Sequence, residues 1–149
     1  MAEGLRGDNV LLQMFRTGQA VRELMLAVVS GTGVLPNQYA VLSAIAVLRS
    51  VSPTELAARL RVPPTTISRH VAELVDAGLA VRAPHPSDRR SYLLELSDDG
   101  RKVVKTVVPR IRRALAGLRA HADVEEIEQA LVALEHAARA VVLETPTRR

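Results

Sequence analysis

The chain contains no cysteine. That removes disulfide frameworks, thiolate-held metals and thiol-based peroxide sensing. It has no apolar run approaching the length of a membrane span, so no membrane partner is expected. The N-terminal stretch Met1 to Asp8 carries Glu3, Arg6 and Asp8 and has no apolar core of the kind a secretory signal needs, which predicts a cytoplasmic location. There is no internal repeat and no low-complexity tract. A catalytic constellation is also missing: no Ser/His/Asp set, no glycine-rich phosphate loop and no supported carboxylate pair. The sequence therefore predicts neither an enzyme nor a bound cofactor. His121 and Glu125 stand at helical spacing with His136 in the same region, but without cysteine or a paired-histidine motif no metal site is assigned.

What is present suits a folded globule. At 149 residues and 48% hydrophobic content, the chain has room for one domain, or for a small head with a dimerising body. Twenty Lys and Arg against 16 Asp and Glu leave only +4, a mild hint of a polyanionic partner. The distribution is more informative. Residues 101 to 119 hold seven basic and no acidic side chains, while 120 to 149 hold six acidic and three basic.

Leu11, Met14, Phe15, Val21, Leu24, Met25 and Val28 recur at helical spacing, which predicts a helix over 10–29 with one broad apolar face, ended by Ser30-Gly31-Thr32-Gly33. Pro36 opens a second helix that Tyr39, Leu42, Ile45 and Ala46 carry to Ser50. Ser52-Pro53-Thr54-Glu55 is a capping box with proline at the first helical position, starting a third helix that runs to Leu60. Arg61-Val62-Pro63 is a tight turn, and helix, turn, helix is the geometry of a helix-turn-helix.

From Pro63 to Leu79, Ile67, Val71, Leu74 and Val75 mark a buried face of the next helix. Thr65, Thr66, Arg69, His70 and Glu73 mark the other face and crowd toward the helix start, where a helix entering the major groove presents its base-contacting residues. Gly78 stops this helix. Residues 79 to 100 then read as a hairpin with a long arm, because two short apolar segments flank a tip rich in Pro, Ser, Asp and Arg. In the second segment Tyr92, Leu94 and Leu96 alternate with Ser91, Leu93 and Glu95, so that one face packs on the helices. Ser97 caps a further long helix, with Asp98 and Asp99 in its first turn. Pro109 falls inside this helical pattern and is expected to kink or interrupt it. A last helix begins at Asp123, with Val124, Ile127, Leu131, Leu134, Ala138 and Val141 at heptad-like spacing that asks for a partner.

The recognition helix ending in Ala-Gly-Leu, the arm Pro-Ser-Asp-Arg-Arg-Ser and the following Leu-Ser-Asp-Asp-Gly together resemble the MarR family of winged helix-turn-helix regulators. Leu35 to Leu42 resembles the family's second helix and Thr54 to Leu60 its third, so the resemblance covers about residues 10 to 143. It implies a mainly α fold with a small β-hairpin wing (α+β), in one MarR-type domain: dimerisation helices over 10–29 and 101–143, and a DNA-binding head over 36–100. It also implies a homodimer on double-stranded DNA, a pseudo-palindromic operator, repression, and release by a small aromatic or anionic effector. The absence of cysteine sets the chain apart from the family's cysteine-oxidation subgroup. A polar capping residue is usual in the family where this chain has Pro63, and a basic residue where it has Glu73.

On this reading Thr65, Thr66, Ser68, Arg69 and His70 mix phosphate anchoring with base-edge contact, and Arg69 is able to read guanine. Ser68 has the alternative of facing the body. Arg89 and Arg90 enter the minor groove from the arm tip. By resemblance, Asp88 pairs with Arg90 and holds the arm's shape. The basic stripe of Arg101, Lys102, Lys105, Arg110, Arg112, Arg113 and Arg119 has two readings: flanking phosphates or an anionic effector, or pairing with Glu125, Glu126 and Glu128. Tyr39 and Phe15 are core residues or line an effector pocket. The rival functional class is a winged-helix module that binds protein, with the arm as a docking peptide.

Overall fold

The computed structural model describes residues 4–88 and 91–144, with side chains from 9 to 88 and from 91 to 142. Six helices and one hairpin follow in the order α1 Gly4–Val29, α2 Pro36–Leu48, α3 Pro53–Leu60, α4 Pro64–Asp76, β1 Ala80–Pro84, β2 Tyr92–Leu96, α5 Asp98–His121 and α6 Val124–Glu144. They form two compact units, one extending to Arg110 and one starting at Ile111.

The first unit is built around α2. Its sequence, PNQYAVLSAIAVL, is apolar over most of its surface, and such a helix is stable only when largely covered. The end of α1, together with α3, α4 and β2, surrounds it, and Leu42 and Ile45 are completely buried. Leu35 has no side-chain acceptor with which to cap α2. Gln38 supplies half of a cap instead, its Oε1 accepting the Leu35 N–H at 2.8 Å. The helix ends at Leu48, short of the expected Ser50, because Arg49 adopts φ 66° and turns the chain.

The capping box of α3 forms as expected. Ser52 Oγ accepts the Glu55 N–H at 3.2 Å, and Glu55 Oε2 accepts the Ser52 N–H at 3.1 Å. The Ser52 N–H and then the Ser52 hydroxyl, which donates to Glu55 Oε2 at 3.0 Å, hold the Glu55 carboxyl below its ordinary range. Between α3 and the hairpin lies a pairing that sequence pattern alone did not reveal. Val51 exchanges both backbone hydrogen bonds with Leu94, at 3.2 and 2.8 Å, and so fastens β2 to the head.

The hairpin itself pairs Ala80 with Leu96 and Pro84 with Tyr92. Its base is stitched at three points. Ser97 Oγ donates to the Gly78 carbonyl at 2.6 Å and accepts the Gly100 N–H at 3.0 Å, while the Ser97 N–H donates to the Leu79 carbonyl at 3.2 Å. Gly78 sits at φ 69°, the left-handed conformation that ends α4. Gly100 is required for a different reason: a Cβ there would run into the Leu79 carbonyl oxygen.

The α5 helix is continuous through Pro109, so of the expected kink or interruption the interruption does not occur. The first half of α5 is anchored by Arg110, whose guanidinium donates to the Ser30 carbonyl at 2.6 Å and the Val28 carbonyl at 3.3 Å, neutralising the end of α1. In the second unit, Asp123 caps α6 through the Glu125 N–H at 2.9 Å, and the apolar stripe of α6 stays open, with Leu131 52% and Val141 61% exposed. The broad apolar face of α1 is open too, Phe15 at 64%.

Two glycines make opposite predictions. Gly100→Ala should cost about 2–3 kcal/mol in chemical denaturation, because backbone must shift to admit the methyl group. Gly117→Ala, where nothing lies within 4 Å of the new Cβ, should raise stability by roughly 0.5–1 kcal/mol through helix propensity.

Candidate nucleic-acid interface

The α4 helix has one buried face, formed by Ile67, His70, Val71 and Leu74. Its N-cap position is Pro63, which offers no side-chain acceptor. The Pro63 carbonyl accepts the Thr66 N–H at 3.0 Å and the Ile67 N–H at 3.2 Å, and Pro64 at the first position has no N–H to satisfy. The capping partner that the sequence does not provide is thus replaced by backbone and by a second proline.

Thr65, Ser68 and Arg69 are exposed on the opposite face, and Thr66 is half-buried between the two. Ser68 does not turn inward. Its hydroxyl donates to the Pro64 carbonyl at 2.9 Å and keeps its lone pairs toward solvent. Arg69 extends outward, its side chain 68% exposed.

His70 departs from the expectation of an exposed base-contacting residue. It is 8% exposed and belongs to the buried face. The reason is helical geometry. Position 70 lies three residues after Ile67 and four before Leu74, so it falls on the same stripe as both. Its ring Nδ1 meets Glu73 Oε2 at 3.1 Å, and the same carboxylate oxygen accepts from Gln38 Nε2 at 3.0 Å. Glu73 Oε1 faces Arg69 Nε at 3.9 Å. A carboxylate at the end of the recognition helix is therefore pinned to the start of α2, and the same Gln38 also caps α2. Neither Gln38 nor Glu73 was expected in this role, since the two are separated by 35 positions and no local pattern joins them.

At the wing, Arg82 lies over the Tyr92 ring at 4.9 Å, a cation–π contact that stiffens the arm. The tip is organised by His85, whose Nδ1 accepts the Asp88 N–H at 3.1 Å and the Ser87 N–H at 3.3 Å. The spacing His85-Pro86-Ser87-Asp88 carried that signal, because a side-chain acceptor two and three residues before backbone donors mimics a turn. The Ser91 N–H donates to the Asp88 carbonyl at 3.1 Å. Arg89 and Arg90, expected at the tip, lie outside the described residues, and with them the expected Asp88–Arg90 pair.

Of the basic stripe, Arg101 is engaged by Asp98 and by the Leu96 carbonyl, both at 2.6 Å, and Lys102 by Asp99 at 2.7 Å. Arg110 caps α1. Among the described residues no ion pair joins Arg112, Arg113 or Arg119 to Glu125, Glu126 or Glu128.

The Glu73 carboxyl is held below its ordinary range, first by the Gln38 hydrogen bond and then by that of His70. A depressed carboxylate contributes stability above its unfolded value and loses it as pH falls through the folded one. The Gln38–Glu73 tie should therefore persist into acid in which ordinary glutamates are protonated. In an NMR titration Glu73 should have a midpoint below that of an exposed glutamate, and Gln38→Leu should move it upward. An unchanged midpoint would show that Gln38 does not hold it.

The model of the MarR family matches residues 32–91, from the end of α1 through the arm. Two curated HTH-type transcriptional regulators, one of Mycobacterium bovis and one of Mycobacterium tuberculosis, are each 39% identical over 69 residues, covering 46% of this chain and 48% of theirs. The matched region thus spans about half the length of these relatives. A Thauera aromatica protein described as a regulator for the hcr operon is 31% identical over 100 residues, 66% of this chain and 60% of its own. Among solved structures, the PcaV transcriptional regulator of Streptomyces coelicolor, in complex with its natural ligand, superposes with a TM-score of 0.73 at 28% identity, over 87% of this chain and 91% of that one. The Mycobacterium tuberculosis regulator MosR in complex with DNA superposes at 0.75, over 88% and 96%, with 24% identity. Residues 32–91, which hold the helix-turn-helix and the hairpin, are thus similar to the MarR family, and the chain shares its fold with the winged helix-turn-helix regulators among the solved structures.

Proposed function

We propose that this protein is a homodimeric, sequence-specific transcriptional repressor that binds a pseudo-palindromic operator and is released from it by a small molecule. The observation that carries the reading is α4. One face is wholly committed to the core, and the other presents Thr65, Ser68 and Arg69 from its first turns. That is the arrangement by which a recognition helix meets base edges in the major groove. Thr65 and Ser68 hold phosphate oxygens, Thr66 helps from the edge of the face, and Arg69 reads a guanine. His70 acts from beneath, by holding Glu73. Arg89 and Arg90 reach the adjacent minor groove from the arm, and Asp88 keeps its shape.

Two further observations support the assembly and its control. The exposed apolar side chains of α1 and α6, Phe15 and Val142 among them, are what a second copy would cover. Two copies place their recognition helices about one turn of DNA apart, which accounts for an operator with two half-sites. A ligand releases the dimer only through its differential affinity for the free and bound states. Among the described residues no helix is long and apolar enough to cross a membrane, and we place the protein in the cytoplasm, where an operator is found.

Selection from random duplexes tests this directly. The wild type should enrich a palindrome with half-sites about 10 base pairs apart. Arg69→Ala should relax one position per half-site at a cost of about 1–3 kcal/mol. Arg90→Ala should weaken all sequences alike and flatten the dependence on salt. Salt-insensitive binding, or no enriched sequence, would leave a protein-binding module as the better account.

A further inference from the structure

Behind the reading face of α4 lies a carboxylate that the DNA contacts proposed above leave unused. Glu73 is four residues after Arg69, one turn further along the same helix, and its side chain is 40% exposed. Its two oxygens have different partners. Oε2 accepts from Gln38 Nε2 at 3.0 Å and faces His70 Nδ1 at 3.1 Å, while Oε1 faces Arg69 Nε at 3.9 Å.

These roles are fixed by what each neighbouring group is able to do. The Leu35 N–H can only donate, so Gln38 turns Oε1 toward it at 2.8 Å, which leaves Nε2 as the donor for Glu73. An ionised carboxylate can only accept, so His70 Nδ1 carries its proton toward Oε2. Oε2 is thus held from two packed positions, one of them on another helix, and the carboxylate lacks the freedom of an ordinary surface glutamate. It also keeps its charge at neutral pH, because the Gln38 bond and then that of His70 hold it below the ordinary range. Oε1 is the oxygen left over, and it sits at the root of the Arg69 guanidinium.

An arginine on an exposed helix face samples many rotamers, and the fork that reads guanine O6 and N7 is useful in one direction only. A carboxylate fixed beside Nε occupies that edge and leaves both Nη groups turned outward. An exposed pair of this kind adds little to stability, so its effect is one of direction. Its negative charge also repels phosphates whatever the sequence.

We propose that Glu73 is a specificity-determining positioning residue: clamped by Gln38 and His70, it aims Arg69 at one base and lowers affinity for DNA at large. Gln38, in the first turn of α2, thereby sets base selectivity from outside the recognition helix. This role rests on the regulator reading of α4.

The test uses the full-length protein, the operator that the wild type enriches, and the same duplex with the Arg69-dependent base pair replaced. Glu73→Gln keeps the size and the acceptor but removes the charge. It should lower the preference for the operator about three- to fivefold while binding the replaced duplex about twofold more tightly. Gln38→Leu should lower the preference about two- to threefold by releasing the clamp. With Arg69→Ala already in place, Glu73→Gln should leave the preference unchanged. A merely structural Glu73 would weaken both duplexes alike. In the free protein, side-chain nitrogen relaxation should find the Arg69 Nε–H more ordered than that of exposed Arg59, and less ordered in both variants. The proposal is overturned if Glu73→Gln keeps the preference, if its effect persists without Arg69, or if Arg69 is as mobile as Arg59. A wild type that enriches no operator sinks the regulator reading and the base contact with it, whereas an operator read equally well by Glu73→Gln sinks only the role of Glu73.

Discussion

The head depends on one constraint: α2 is apolar over most of its surface, so most of it must be covered. Full burial of a leucine or isoleucine is worth about 1.5–3 kcal/mol each, and Leu42 and Ile45 achieve it. The cover consists of the end of α1, α3, α4 and β2. Once α4 has surrendered the Ile67, Val71 and Leu74 face to this core, only its other face remains to meet a partner. Apart from Ser43, whose hydroxyl donates to the Ala40 carbonyl, the polar residues of α2 lie near its start, where Gln38 serves the element beside it. Gln38 at the start pins Glu73 of α4. Arg49, just past the last residue, turns the chain.

The wing is anchored with similar economy. Val51 adds a two-bond bridge to Leu94, and Ser97 joins the end of α4 to the start of α5. These bonds are short-range in space and long-range in sequence, so they form only when the head is assembled. They make the base of the hairpin part of the core, whereas the tip depends on local bonds to His85. An arm built this way can present charge at its end without losing the orientation of its root.

Electrostatics follows the same division. Arg101 with Asp98, Lys102 with Asp99 and Arg139 with Glu135 are pairs one helical turn apart on exposed surface, and each contributes little to stability. Arg110 is different, because it meets the carbonyls left open at the end of α1, where a cation is favoured. The apolar stripes of α1 and α6 are the remaining imbalance. They are larger than scattered surface residues, and a second copy of the chain is the occupant we propose for them.

Sequence alone determined the elements. Helical and alternating periodicity, the Ser52–Glu55 capping box, Gly78 and the Pro-Ser-Asp-Arg-Arg arm all act within a few residues, and local forces are legible in local order. It also gave the resemblance to the MarR family and placed Thr65 and Arg69 on the exposed face, while Ser68 was left open. Tertiary structure decided what depends on distant partners. His70 was assigned to the polar face by its chemistry, yet its position between Ile67 and Leu74 buries it, and only Glu73 and Gln38 make that burial tolerable. Gly100 matters because the Leu79 carbonyl passes close by, which no spacing in the chain announces. Pro109 was expected to kink or interrupt its helix, and the helix continues through it without interruption. Periodicity records which faces are apolar; which polar group reaches which partner is set by packing, and packing brings together residues that the chain keeps far apart.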